Sequence, residues 1–115
     1  MSTQEIINEF KEWLKRQFGN NAEVLTLPPL RIHADMDDIL EITCDHPLKI
    51  VRRNSEEWYI TVIYYGNEYR MKLTNPEVAS FILRKLEEKK NLKGVKMRIR
   101  TERVGEALRV EVGEA

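Results

Sequence analysis

Cysteine is almost missing from this chain of 115 residues: Cys44 stands alone. An intramolecular disulfide is therefore excluded, and a reducing, cytoplasmic setting is expected. Glycine and proline are also sparse, at 5 and 4, and no linker, repeat or low-complexity tract interrupts the chain. Long apolar runs are missing too. The longest, Tyr59 to Tyr65, falls far short of the roughly 20 residues a membrane-spanning helix needs. The first eighteen residues spread Glu5, Glu9, Lys11, Glu12, Lys15 and Arg16 through what would have to be an apolar leader, so neither export nor a membrane partner is expected. Net charge is absent as well, with 19 basic residues against 19 acidic.

What remains is a chain with 42% hydrophobic residues, enough for one core, so residues 1–115 are expected to form a single domain. A charged fraction of 33%, rich in Glu, Lys and Arg, is the composition of thermophile proteins. The balanced total hides a polar distribution. From Asn20 to His46 one basic residue, Arg31, stands against six acidic ones, giving 1 − 6 = −5. From Arg84 to Arg103 nine basic residues stand against three acidic, giving 9 − 3 = +6. Such asymmetry points to nucleic acid or to self-association, and a homo-oligomer, dimer or higher, is expected.

The patterning predicts an α+β fold. Ser2 and Glu5 form a capping box, and Ile6, Ile7, Phe10, Trp13, Leu14 and Phe18 recur at helical spacing before Gly19, which predicts an N-terminal amphipathic helix. Asn20 to Leu30 reads as a loop or a short edge strand, and Asp35 to Ile42 as either a short helix or the approach to a strand. Leu48 to Arg53, Trp58 to Tyr65 and Glu68 to Thr74 read as an antiparallel three-stranded meander, with turns at Asn54 to Glu57 and at Gly66-Asn67. Pro76 opens a second amphipathic helix, lined by Val78, Phe81, Ile82 and Leu86 and stopped by Gly94. Val95 to Arg103 and Ala107 to Val112 form a C-terminal β-hairpin about Gly105-Glu106.

A turn at Gly66-Asn67 pairs Tyr65 with Glu68, Tyr64 with Tyr69, Val62 with Met71 and Ile60 with Leu73, which makes the last three pairs a core face. The opposite face then carries Tyr59, Thr61, Ile63 and Tyr65 beside Arg70 and Lys72, joined by Leu48, Ile50 and Arg52 if the first hairpin keeps parity. Such an apolar, aromatic floor with a basic rim has three readings. It is covered by the first helix, it is an interface between copies, or it is a groove in which tyrosines stack on bases while cations neutralise phosphates. In the last hairpin the expected register sets Arg100 against Glu111 and Glu102 against Arg109, leaving Lys96 and Arg98 for phosphate.

Catalytic and metal-binding patterns are weak. His33, Asp35, Asp37, Asp38, Cys44 and His46 fall close together in sequence, but none is spaced as in a zinc site or a calcium loop, and no metal or other cofactor is expected. Cys44 and His46 lack a third orienting group for thiol catalysis. A metal-dependent nuclease would draw on Glu68 with Arg70 and Lys72, plus Asp45 or Glu12, although arginine stands where that chemistry wants lysine. The other alternative is a protein-interaction module with no nucleic-acid role.

The N-terminal helix, the aromatic meander from Trp58-Tyr59 to Tyr64-Tyr65 and the interleaved Arg52, Arg70 and Lys72 resemble the archaeal ThermoDBP-related single-stranded-DNA-binding proteins. The resemblance spans most of the chain and rests on no motif of fixed spacing. It implies a non-enzymatic protein that holds single-stranded DNA in a groove or intersubunit tunnel, through aromatic contacts to bases and basic contacts to phosphates. The contact residues so expected are Leu48, Ile50, Arg52, Tyr59, Ile63, Tyr65, Arg70, Lys72, Lys96 and Arg98. The C-terminal heptads of some relatives are missing, so a dimer is expected to use another surface.

Overall fold

The computed structural model describes residues 2–19 and 21–115; Asn20, where the expected loop begins, lies outside the described residues. The α+β architecture is as the sequence predicts. Helix α1 spans Thr3–Phe18, capped by the Ser2 hydroxyl accepting from the Glu5 N–H at 3.2 Å, and helix α2 spans Pro76–Lys89, capped by Asn75. Around them run β1 (Asp37–Ile42), β2 (Leu48–Arg52), β3 (Ser55–Tyr64), β4 (Asn67–Lys72), β5 (Lys96–Val104) and β6 (Ala107–Glu114). Among the described residues no helix is long and apolar enough to cross a membrane.

All six strands form one antiparallel sheet. Tyr59 pairs with both Leu48 and Lys72, and Val62 with both Ile42 and Tyr69. A strand has only two hydrogen-bonding edges. With β4 occupying one edge of β3, β1 and β2 must therefore share the other, end to end. The break between them, Thr43–Pro47, shifts the register by three residues. The segment left open between helix and strand is thus a strand, and a central one, because β1 joins the meander to the C-terminal hairpin.

Both hairpins of the meander differ from expectation: the first turn tightens to two residues and the second, still of two residues, slides back by one. The second turn is Tyr65-Gly66, with φ of 48° and 81°, so Tyr64 faces Asn67 and Val62 faces Tyr69. Two successive positive φ values match the right-handed twist of the strands, and glycine takes the second at no steric cost. Tyr65 in a left-handed conformation costs about 1–2 kcal/mol. Its hydroxyl donates to Asp38 Oδ1 at 3.2 Å and its ring lies 4.5 Å from that of Tyr64, contacts that hold it there. The register moves by two residues, so the assignment of faces is unchanged. In the first hairpin Arg52 pairs with Ser55, and Glu56 and Glu57, expected in a loop, are strand residues held by Lys49 at 3.2 Å and Arg52 at 2.8 Å. Cross-strand ion pairs of this kind keep polar residues in a ladder.

The inner face of the sheet lies under α2, where Leu40, Ile42, Ile60, Val62, Met97 and Ile99 meet Val78, Phe81 and Ile82. The outer face is covered only in part. A short 3-10 turn, Ala22–Thr26, places Val24 over Ile50 and Tyr59, with Phe18, Leu25 and Leu48 around them. Helix α1 itself buries nothing: Ile6, Ile7, Phe10 and Trp13 are all exposed, and only Phe18 at its end joins the cluster.

Candidate nucleic-acid interface

Strand alternation puts Arg52, Glu57, Tyr59, Arg70 and Lys72 on the outer face at the β2–β3–β4 end of the sheet. Glu57 organises them. Its Oε1 is ion-paired with Arg52 Nε at 2.8 Å, and its Oε2 accepts from the Tyr59 hydroxyl at 2.7 Å and is ion-paired with Lys72 Nζ at 3.3 Å. The Tyr59 hydrogen bond, with that from Lys72 and the charges of Arg52 and Lys72, holds the Glu57 carboxyl below its ordinary value despite partial burial. Burial and the facing carboxylate push the Tyr59 phenol up. The guanidinium of Arg70 lies 5.9 Å from the Tyr59 ring centroid, and its Nε has no hydrogen-bond partner among the described residues.

Glu57, Tyr59, Arg70 and Lys72 line a cleft of about 630 Å³, whose other walls are Pro29 to Ile32, Thr74 to Pro76 and Leu108. Arg31, the one base of the acidic segment, thus arrives beside Arg70 and Lys72. On the outer face at and beside the cleft, four cations (Arg31, Arg52, Arg70, Lys72) face one anion (Glu57), giving 4 − 1 = +3 in a chain with no net charge. The most exposed aromatic close by is Trp58 on the opposite face of β3, 45% exposed, with the Lys49 ammonium 5.9 Å from its ring.

The ten contact residues expected from the sequence do not form one surface. Tyr59, Arg70 and Lys72 come together at the cleft, and Arg52 stands beside it on Glu57. Tyr59 is only 5% exposed and Ile50 fully buried, with Leu48 half-buried against them, so these three are the floor of the small outer cluster and not an open stacking platform. The cause is the 3-10 turn, which carries Val24 onto them. Ile63 and Tyr65 lie toward the other end, Tyr65 standing at the turn with 81% exposure. Lys96 and Arg98 lie two strands away. Arg98, expected to be free for phosphate, is instead forked onto Asp37 at 3.0 and 3.2 Å, and this bond lowers the Asp37 carboxyl. The expected register of Arg100 with Glu111 and Glu102 with Arg109 is present, but Arg100 reaches toward Asp37 at 3.9 Å.

The +6 segment is dispersed in the same way. Lys85 and Lys89 are both drawn to Glu114, whose carboxyl falls to about 2 through the hydrogen bonds from these two lysines. Of the residues considered for a nuclease, Glu68 accepts from the Thr43 hydroxyl at 2.9 Å. Among the described residues no three of His, Cys, Asp and Glu are grouped to hold a metal ion. Two residues of the cleft escaped the sequence reading. Glu57 was hidden in a presumed loop, although its alternation with Tyr59 and Thr61 would have extended the strand to it; Arg31 carried no local signal. Comparison of the chain with protein-family profiles, curated proteins and solved structures returned no match.

Proposed function

We propose that this protein is a non-enzymatic binder of single-stranded nucleic acid, DNA in the first instance, with its phosphate path along the β2–β3–β4 end of the sheet. The observation that carries the reading is the convergence of Arg31, Arg70 and Lys72 on one cleft, with Arg52 beside it on Glu57, at a locally cationic end of a neutral protein. Phosphate binding draws its free energy from cations whose counterions are released, and bound strands track such grooves. Arg70 and Arg31 make no ion pair among the described residues, while Arg52 and Lys72 share the single carboxylate of Glu57 and keep donors to spare. Tyr59 shapes and rigidifies the floor. Base stacking falls to Trp58, the exposed aromatic at the same end on the opposite face of β3, so the bound strand passes round this end of the sheet.

The test is a titration of a fluorescent single strand and of the matching duplex at low salt. The reading requires saturable binding of the single strand, weaker binding of the duplex, and intact strands after incubation with magnesium or manganese. A second reading, a protein-interaction module, is favoured by the bare apolar face of α1, and it takes over if the single strand does not bind.

A further inference from the structure

Two of the sheet's outer edges, those of β4 and β6, are treated differently. Along β4 the edge is closed: the Leu30 N–H donates to the Arg70 carbonyl at 2.8 Å and the Arg70 N–H to the Pro28 carbonyl at 3.0 Å. Along β6 no backbone pairing closes it among the described residues, although Leu108 shares the cleft with Pro29 to Ile32. This strand pairs with β5 alone, and among the described residues no backbone hydrogen bond reaches its far side. It runs for eight residues without proline, and most of it is exposed. Long edges of this kind are normally blunted by a proline, a bulge or a cover, because their free N–H and C=O groups are a template for another strand.

The register shows what that template fits. The two-residue turn makes Val104 and Ala107 a hydrogen-bonded pair, so by alternation the N–H and C=O groups of Leu108, Val110 and Val112 point away from β5. Arg109 and Glu111 flank Val110 on the outer face; Leu108 and Val112 flank it on the inner. We propose that β6 pairs antiparallel with β6 of a second copy about a two-fold axis through Val110, joining the two sheets into one. In that register Val110 meets Val110, Leu108 meets Val112, and Arg109 meets Glu111 twice. The strand is complementary to itself in both charge and hydrophobicity. The pairs of Arg109 with Glu111 fall at non-hydrogen-bonded positions, where opposing Cα atoms approach to about 4.5 Å and side chains are closest. About six backbone hydrogen bonds form across the axis, the usual source of affinity in strand addition. In the isolated chain both side chains are exposed, 67% and 60%, and meet only along their own strand at 3.7 Å.

Sedimentation of the intact chain tests this. The wild type is expected to be a dimer. Arg109→Glu and Glu111→Arg each set like charges together at both symmetric contacts and should weaken dimerisation about tenfold. Mixing the two single variants should restore pairing, because every contact in the mixed dimer is then between opposite charges, and the double variant R109E/E111R should dimerise like the wild type. Thermal melts of each variant separate loss of pairing from loss of fold. A wild type that stays monomeric at millimolar concentration overturns the proposal. So does a dimer indifferent to both reversals, or one that dissociates with Phe10→Ser on α1 and not with the strand variants.

Discussion

At the β2–β3–β4 end of the outer sheet face, Tyr59 and Ile50 are sealed beneath Val24, and Arg31, Arg52, Arg70, Lys72 and Glu57 give the rim a net +3. At the β1–β5 end of the same face, Ile39 and Ile63 lie bare, and Lys96, Arg98 and Arg100 are matched by Asp37, Glu41 and Glu68, giving 3 − 3 = 0. Strand alternation alone makes these two halves look alike, a floor of apolar and aromatic residues with basic neighbours. They differ because of residues remote in sequence. A 3-10 turn covers one half, while the acidic residues of β1 neutralise the other. An apolar surface beside cations is therefore not yet a binding site; what covers it and what cancels its charge decide.

The largest effect that separates the halves is on stability. Tyr59→Ala should cost about 3–5 kcal/mol, as for a core aromatic, and also releases Glu57 from its shortest hydrogen bond. Tyr65→Ala, at an exposed turn, loses only the hydroxyl and ring contacts that hold its left-handed backbone and should cost no more than about 1–2 kcal/mol. Ile50→Ala should cost about 2–5 kcal/mol against about 0.5 kcal/mol for Ile39→Ala. Urea denaturation of the four variants checks both pairs, and equal losses in the two halves would erase the distinction.

Next comes affinity. Trp58→Ala should reduce single-strand binding by about 1–3 kcal/mol, one base–aromatic stack, with little change in the melting temperature. Titration of this variant beside Tyr65→Ala, which should bind as the wild type does, locates the stacking residue. A loss confined to Tyr65→Ala would move the site to the other half of the face.

A smaller effect follows from pH. The Glu57 carboxyl is lowered in the folded protein from an ordinary value of 4.5. Its contribution to stability is therefore fully present above that value and is lost as the pH falls through the lowered folded one. Glu57→Gln should destabilise the protein at neutral pH, and the difference from wild type should shrink on acidification below 4.5. Denaturation midpoints at neutral and acid pH provide the check; a difference that persists unchanged in acid would mean that charge at Glu57 contributes nothing.

The strands β2 to β6, both helices and the parity of the sheet faces were legible in the sequence. β-Branched and aromatic alternation, Asn75-Pro76 and the turn glycines are local signals, and both turn shifts moved the register by an even number of residues. Strand β1 was not legible. Asp37 to Ile42 is short and acidic, and it becomes a strand because β3 and β5 satisfy its backbone on both sides. The burial of Tyr59 was equally hidden, since Val24 reaches it through a turn that carries no periodic signal. The same blindness affected charge: that Arg98 is claimed by Asp37, while Arg31 joins Arg70, depends on strand order and not on spacing.

The central claim is that phosphates follow the β2–β3–β4 end and not the β1–β5 end. The slope of log affinity against log salt, measured for a single strand, tests this most directly. Arg70→Ala and Lys72→Ala should each reduce the slope by about 0.7, the single-strand value for one phosphate contact, whereas Lys96→Ala and Arg98→Ala should leave it unchanged. Equal reductions from both pairs, or a wild-type protein with no single-strand affinity at low salt, would contradict the account.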